Sequence, residues 1–250
     1  METQTPNTTQ SPMMIPIAII IAGLLIAGAL IFNSMNSGGN TQANSNIPSA
    51  DQNIDIAPVT DKDHILGNPK ATLLVVEYSD LECPFCKQFH KTMQQMMAEF
   101  GTEGKVAWVY RHFPIYKGSE TQPPLHSKAG KESEATECAA ELGGNDMFWK
   151  YTDRIYEITP SNNGLDLAKL PIIAKELGLN QAAFETCLTS GRYADKIEQS
   201  YNEALKAGAE GTPYTVIIDT RSGQTIPITA GAIPYTALSA LIKSILARTN

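Results

Sequence analysis

Thr72-Leu73-Leu74-Val75-Val76-Glu77-Tyr78 runs through Ser79-Asp80-Leu81-Glu82 into Cys83-Pro84-Phe85-Cys86. The first segment is a nearly unbroken apolar run and predicts a buried strand. Beyond it, Phe85, Phe89, Met93, Met96 and Phe100 recur at spacings of three and four, which predicts a helix over Cys83–Phe100. Pro84 suits the first helical position, because its ring fixes φ and no N–H is needed there. Two cysteines two residues apart, set between a strand and a helix, point to thiol–disulfide chemistry. A zinc half-site and a structural disulfide are the alternatives. Zinc ordinarily needs a second close pair, which Cys138 and Cys187 do not make.

Position within this motif assigns the roles. A cysteine at a helix N-terminus faces unpaired backbone N–H groups and the positive end of the helix dipole, and both favour thiolate over thiol. Cys83 is therefore the expected attacking and leaving sulfur. Cys86, one turn further in and more buried, is expected to resolve a mixed disulfide. Asp80 and Glu82 oppose a Cys83 thiolate if they are close and exposed; the other reading is that they cap the helix.

The chain has 250 residues, 42% of them hydrophobic, enough for one domain with a substantial core. Its net charge is −7 and its Lys and Arg residues are scattered, so a nucleic-acid surface is not expected. Met13–Phe32 is almost wholly apolar and of membrane-spanning length. It reads as an uncleaved anchor, or alternatively as a signal peptide cut near Ala27-Gly28-Ala29. The anchor is favoured because apolar residues continue past that point and Met1–Pro12 lacks Lys and Arg. Asn33–Ile56, rich in Asn, Ser, Gly and Gln, reads as a flexible linker, and Ala57–Asn250 as the folded domain.

Within that domain, further strands are expected at Val106–Phe113, Tyr214–Asp219 and Thr225–Thr229. Helices are expected at Lys128–Leu142, Asp146–Ile158, Pro171–Leu177, Gln181–Leu188, Tyr193–Ala207 and Tyr235–Ala247. The order is βαβ, a helical block over about Ser119–Ala207, then ββα. This is an α/β sheet with a helical insertion between its second and third long strands. Trp108, Phe148 and Trp149 read as core packing.

Val76 to His90, together with Gly211-Thr212-Pro213-Tyr214-Thr215 and the intervening helical block, resembles the DsbA-like branch of the thioredoxin superfamily from about Pro58 to the C-terminus. The resemblance implies a thioredoxin fold with Cys83 and Cys86 as the redox pair and no cofactor or metal. It also implies that Pro213 is held in cis opposite that pair, leaving Thr212 backbone groups to meet an extended substrate beside Pro84 and Phe85. Glu77 matches a buried acid beneath the disulfide, where a raised pKa suits it to take the Cys86 proton. Val76 and Tyr78 should then share the opposite face of the strand. The Pro84-Phe85 dipeptide lacks the histidine of the strongly oxidising type member, so a less acidic Cys83 is expected. His90, one turn beyond Cys86, is a tuning candidate, although a lone helical histidine is more often structural. Cys138 and Cys187 are expected to form a structural disulfide, with two buried thiols as the alternative.

The functional expectation is an extracytoplasmic oxidoreductase, held in the cytoplasmic membrane by residues 13–32, that oxidises client proteins and is reoxidised by a membrane redox partner. The alternatives are a reductase or isomerase of the same fold, and a membrane-anchored binding module without turnover.

Overall fold

The computed structural model describes residues 54–119 and 121–248. The anchor expected at 13–32 and nearly all of the linker lie outside these residues. Among the described residues no helix is long and apolar enough to cross a membrane.

A five-stranded sheet organises the chain. Its strands are β1 (His64–Leu66), β2 (Leu73–Ser79), β3 (Val106–His112), β4 (Tyr214–Asp219) and β5 (Gln224–Ile228), in spatial order β1-β3-β2-β4-β5. β2 and β3 run parallel, joined across α1 (Pro84–Met96); every other pairing is antiparallel. β1 is absent from the sequence reading because three residues are too few to show a period. α1 stops four residues short of Phe100 and continues as a wider helical turn over Met97–Gly101.

The insertion holds α2 (Ala129–Ile158), a 3-10 turn (Leu167–Lys169), α3 (Leu170–Glu176), α4 (Gln181–Ser190) and α5 (Ala194–Lys206); α6 (Tyr235–Leu246) closes the fold. The α2 span contains the two helices expected over residues 128–158, separated at Gly144, whose non-helical φ of 74° suits a residue without Cβ. Cys138 on α2 and Cys187 on α4 form the disulfide, with Cα atoms 5.8 Å apart.

Alternation along β2 sorts the core into two layers. Leu73 and Val75 face α1 and α6, packing with Phe89, Met93, Met96, Leu238 and Ile242. Leu74, Val76 and Tyr78 face the other way, toward Ala204, Ala207, Ile54, Ile56 and Val59. Glu77 therefore points into the first layer, opposite Val76 and Tyr78, as expected. Ile54 also exchanges hydrogen bonds with the Thr225 hydroxyl at 2.6 and 3.0 Å. Packing thus starts at least three residues before Ala57, because Ile54 and Ile56 partly bury their side chains where composition alone reads linker.

Candidate active site

Cys83 is the N-cap of α1, with φ −78° and ψ 122°, and Pro84 occupies the first turn. Cys83 is 4% exposed and Cys86 wholly buried, and both are free thiols, so this is the reduced form. The Cys83 thiol is lowered from 9.0 to about 6. The main cause is the Cys86 thiol directed at it; the Thr212 side chain and the backbone N–H groups of Cys86 and Phe85 add to the effect against the opposing cost of burial. The last two are the free amides of the helix N-terminus. Cys86 moves the other way: burial, then the facing Cys83 and the Glu77 charge, push it well above 9.0.

Glu77 lies in the same layer, fully buried. Its Oε2 accepts from Trp108 Nε1 at 2.9 Å, while Oε1 makes no hydrogen bond. Burial lifts its carboxyl from 4.5 to about 7, despite opposing contacts from Ser79 and Trp108. Ser79, two residues along the same face of β2, favours the charged form of both Glu77 and Cys86, and its hydroxyl meets that of Tyr156 at 2.9 Å. Neither Ser79 nor the polar use of Trp108 was read from the sequence. Strand alternation carried the signal for Ser79, since residues 77 and 79 must share a face.

The Thr212–Pro213 peptide is cis, and Cys83 Sγ donates to the Thr212 carbonyl at 3.5 Å. Beside this loop opens a cavity of about 440 Å³ lined by Glu210, Thr212, Pro213, Tyr214 and Thr229. Phe85, two residues after Cys83, is 61% exposed. His90 packs between the rings of Trp108 and Tyr156 and bonds Asp153 at 2.6 Å. It fastens α1 to α2.

Both readings of Asp80 and Glu82 are corrected. Neither is exposed, and neither caps α1, whose N-cap has no side-chain hydrogen bond. Asp80 Oδ1 accepts from Glu82 N at 2.8 Å; Oδ2 accepts from Ile115 N at 2.7 Å and lies 2.8 Å from His126 Nδ1. Glu82 Oε2 accepts from Gly164 N at 3.2 Å. Burial and partners inside the fold take both carboxylates out of the roles their sequence position suggested.

Residues 59–244 match the family described as thioredoxin. The chain belongs to the thioredoxin family. Among solved structures, this thioredoxin-family chain is similar to DsbA2 of Pseudomonas aeruginosa, with TM-score 0.59 and 26% identity over 75% of this chain and 97% of that one. Oxidised BdbD of Bacillus subtilis has the same fold, with TM-score 0.63 and 19% identity over 79% of this chain and all of that one. A curated Na+/H+ antiporter, NhaA 3 of Salinispora tropica, is 31% identical over 153 residues, which is 61% of this chain and 21% of the antiporter. The chain thus spans about a fifth of that relative's length.

Proposed function

We propose that the chain is a thiol–disulfide oxidoreductase that forms disulfides in client proteins through Cys83 and Cys86. The observation that carries this is the opposite displacement of the two thiols: Cys83 down to about 6, Cys86 well above 9.0. One sulfur is thereby made a good leaving group, the other a protonated reserve. Similarity to DsbA-type proteins supports thiol–disulfide exchange at the level of the family.

In the oxidised protein, a client thiolate attacks Cys83 Sγ. The Cys83–Cys86 bond breaks and Cys86 leaves as a thiolate, which takes a proton; Glu77, protonated about half the time at neutral pH, is the donor placed beneath it. A second client thiolate then attacks the client sulfur of the mixed disulfide. Cys83 departs as a thiolate already stable near pH 7, and the client has lost two electrons to the pair. Phe85 and the Thr212–Pro213 groove receive the client segment around its cysteine. Reoxidation falls to a membrane redox partner, and residues 13–32 anchor the domain on the extracytoplasmic side of the cytoplasmic membrane.

Cys86→Ser tests the reading. It should accumulate client mixed disulfides through Cys83 in cells, and the double variant with Cys83→Ser should abolish them. If no client is trapped, the catalytic reading fails. The direction of electron flow is tested by equilibrium with glutathione buffers: a potential near that of thioredoxin, about −270 mV, would make the protein a reductant.

A further inference from the structure

Asp80 contacts both redox cysteines through its backbone. Its N–H donates to Cys86 Sγ at 3.4 Å, and its carbonyl accepts from Cys83 N at 3.1 Å and from the Tyr156 hydroxyl at 3.2 Å. Its carboxylate holds Glu82 N, Ile115 N and His126 Nδ1 within 2.8 Å. One residue thus joins the active-site turn to the segment after β3. His126 is 46 residues away in sequence and 3% exposed. That segment is itself fixed: His126 N bonds Ile115 O at 3.0 Å, and Asn163 binds Leu125 O, Ser127 Oγ and Lys128 N at 2.8 to 3.2 Å. Asn162 N in turn bonds Glu82 O at 2.8 Å.

We propose that Asp80 and His126 are positioning residues for the exchange reaction: the pair clamps the Cys83–Cys86 turn and holds the buried His126 imidazole against the Asp80 carboxylate beside the turn that carries the reactive sulfur. When protonated, that imidazole supplies from a distant segment the cation that Phe85 does not supply from within the motif. The inference rests on Cys83 being the reactive sulfur. The charged neighbours are consistent with it. Burial opposes a charge on His126, but Asp80, the Cys83 thiolate and Asn162 all favour it and carry its pKa above 6.5. Glu82 lies on the same turn. On α2, Glu132 packs against Glu82 and is pushed up to about 10 by burial and then by Glu82, so it adds no negative charge near neutrality; Lys128 lies beside it.

The chemistry has two consequences. Replacing His126 with Gln leaves the carboxylate of Asp80, whose backbone bonds both cysteines, without its imidazole partner, so Cys83 should ionise less readily. Adding Asp80→Asn removes that negative charge, so the double variant should recover. A purely structural contact predicts no such recovery.

The test is the pH dependence of Cys83 alkylation in full-length protein, checked for folding by circular dichroism. For His126→Gln we expect the midpoint to rise by about half a unit to one unit, a three- to tenfold weaker ionisation. For the double variant we expect a return to within a few tenths of the unmodified protein. Without mutation, the His126 ring followed by NMR should titrate at higher pH in the dithiol than in the disulfide form, because the coupling is reciprocal. This last measurement decides the matter if the variants do not fold. An unshifted midpoint in folded His126→Gln, a double variant no better than the single, or one His126 midpoint in both redox forms would overturn the proposal. An unmodified Cys83 that titrates near 9 would overturn the underlying functional reading instead.

Discussion

Replacing Glu77 with Gln should change how stability depends on pH, by an amount the burial of Glu77 sets. The carboxyl is fully buried and displaced from 4.5 to about 7, chiefly by desolvation. At about 1.4 kcal/mol per pH unit, ionising it inside the fold costs about 3 kcal/mol. Below pH 4.5 folded and unfolded chains both hold the proton and the cost is absent. Between 4.5 and about 7 the unfolded chain releases its proton while the folded chain keeps it, so stability falls as pH rises. Above 7 both are ionised and the loss is complete. Gln cannot ionise, so the stability of Glu77 protein minus that of Glu77→Gln protein should decline by about 3 kcal/mol from pH 4.5 to 8. Urea unfolding measures this in a Cys83→Ser, Cys86→Ser background, where the Cys138–Cys187 disulfide remains and only the smallest contributor, the Cys83 charge, is lost. Two curves that stay parallel over that range would refute the picture of a carboxyl held un-ionised under the redox pair.

Removing the Cys138–Cys187 disulfide by paired Ala substitution should cost about 4 kcal/mol in urea unfolding, from the loop-closure entropy of a 49-residue separation. Phe85→Ala should leave stability within about 0.5 kcal/mol, since the ring is 61% exposed, yet slow oxidation of a reduced client peptide. Thr212→Val removes a contact that favours the Cys83 thiolate; its alkylation midpoint should rise, by about 1 kcal/mol or less than tenfold in ionisation constant.

What the sequence disclosed depended on the range of the signal. The strand, turn and helix around Cys83 were legible because each rests on local rules: an apolar run, a proline at the first turn, spacings of three and four. Glu77 was legible through the resemblance to the DsbA-like branch, which matches it to a buried acid beneath the cysteine pair. Helix ends differed by a few residues, while the break at Gly144 was legible because two adjacent glycines act as a terminator. His126 was not legible at all. It sits in an irregular segment, and its partner Asp80 lies 46 residues away in sequence, so only tertiary contacts join them. Asp80 and Glu82 were misplaced for the same reason: being next to Cys83 in sequence implied the helix cap or the surface, whereas tertiary contacts bury both carboxylates.

The account turns on two thiols held at opposite ends of the ionisation scale. Reaction of the reduced protein with iodoacetamide from pH 4 to 10, with each site read by mass spectrometry, tests this directly. Cys83 should reach half its maximal rate near pH 6, while Cys86 stays unreactive throughout. A Cys83 midpoint near 9, or two cysteines that react alike, would contradict it.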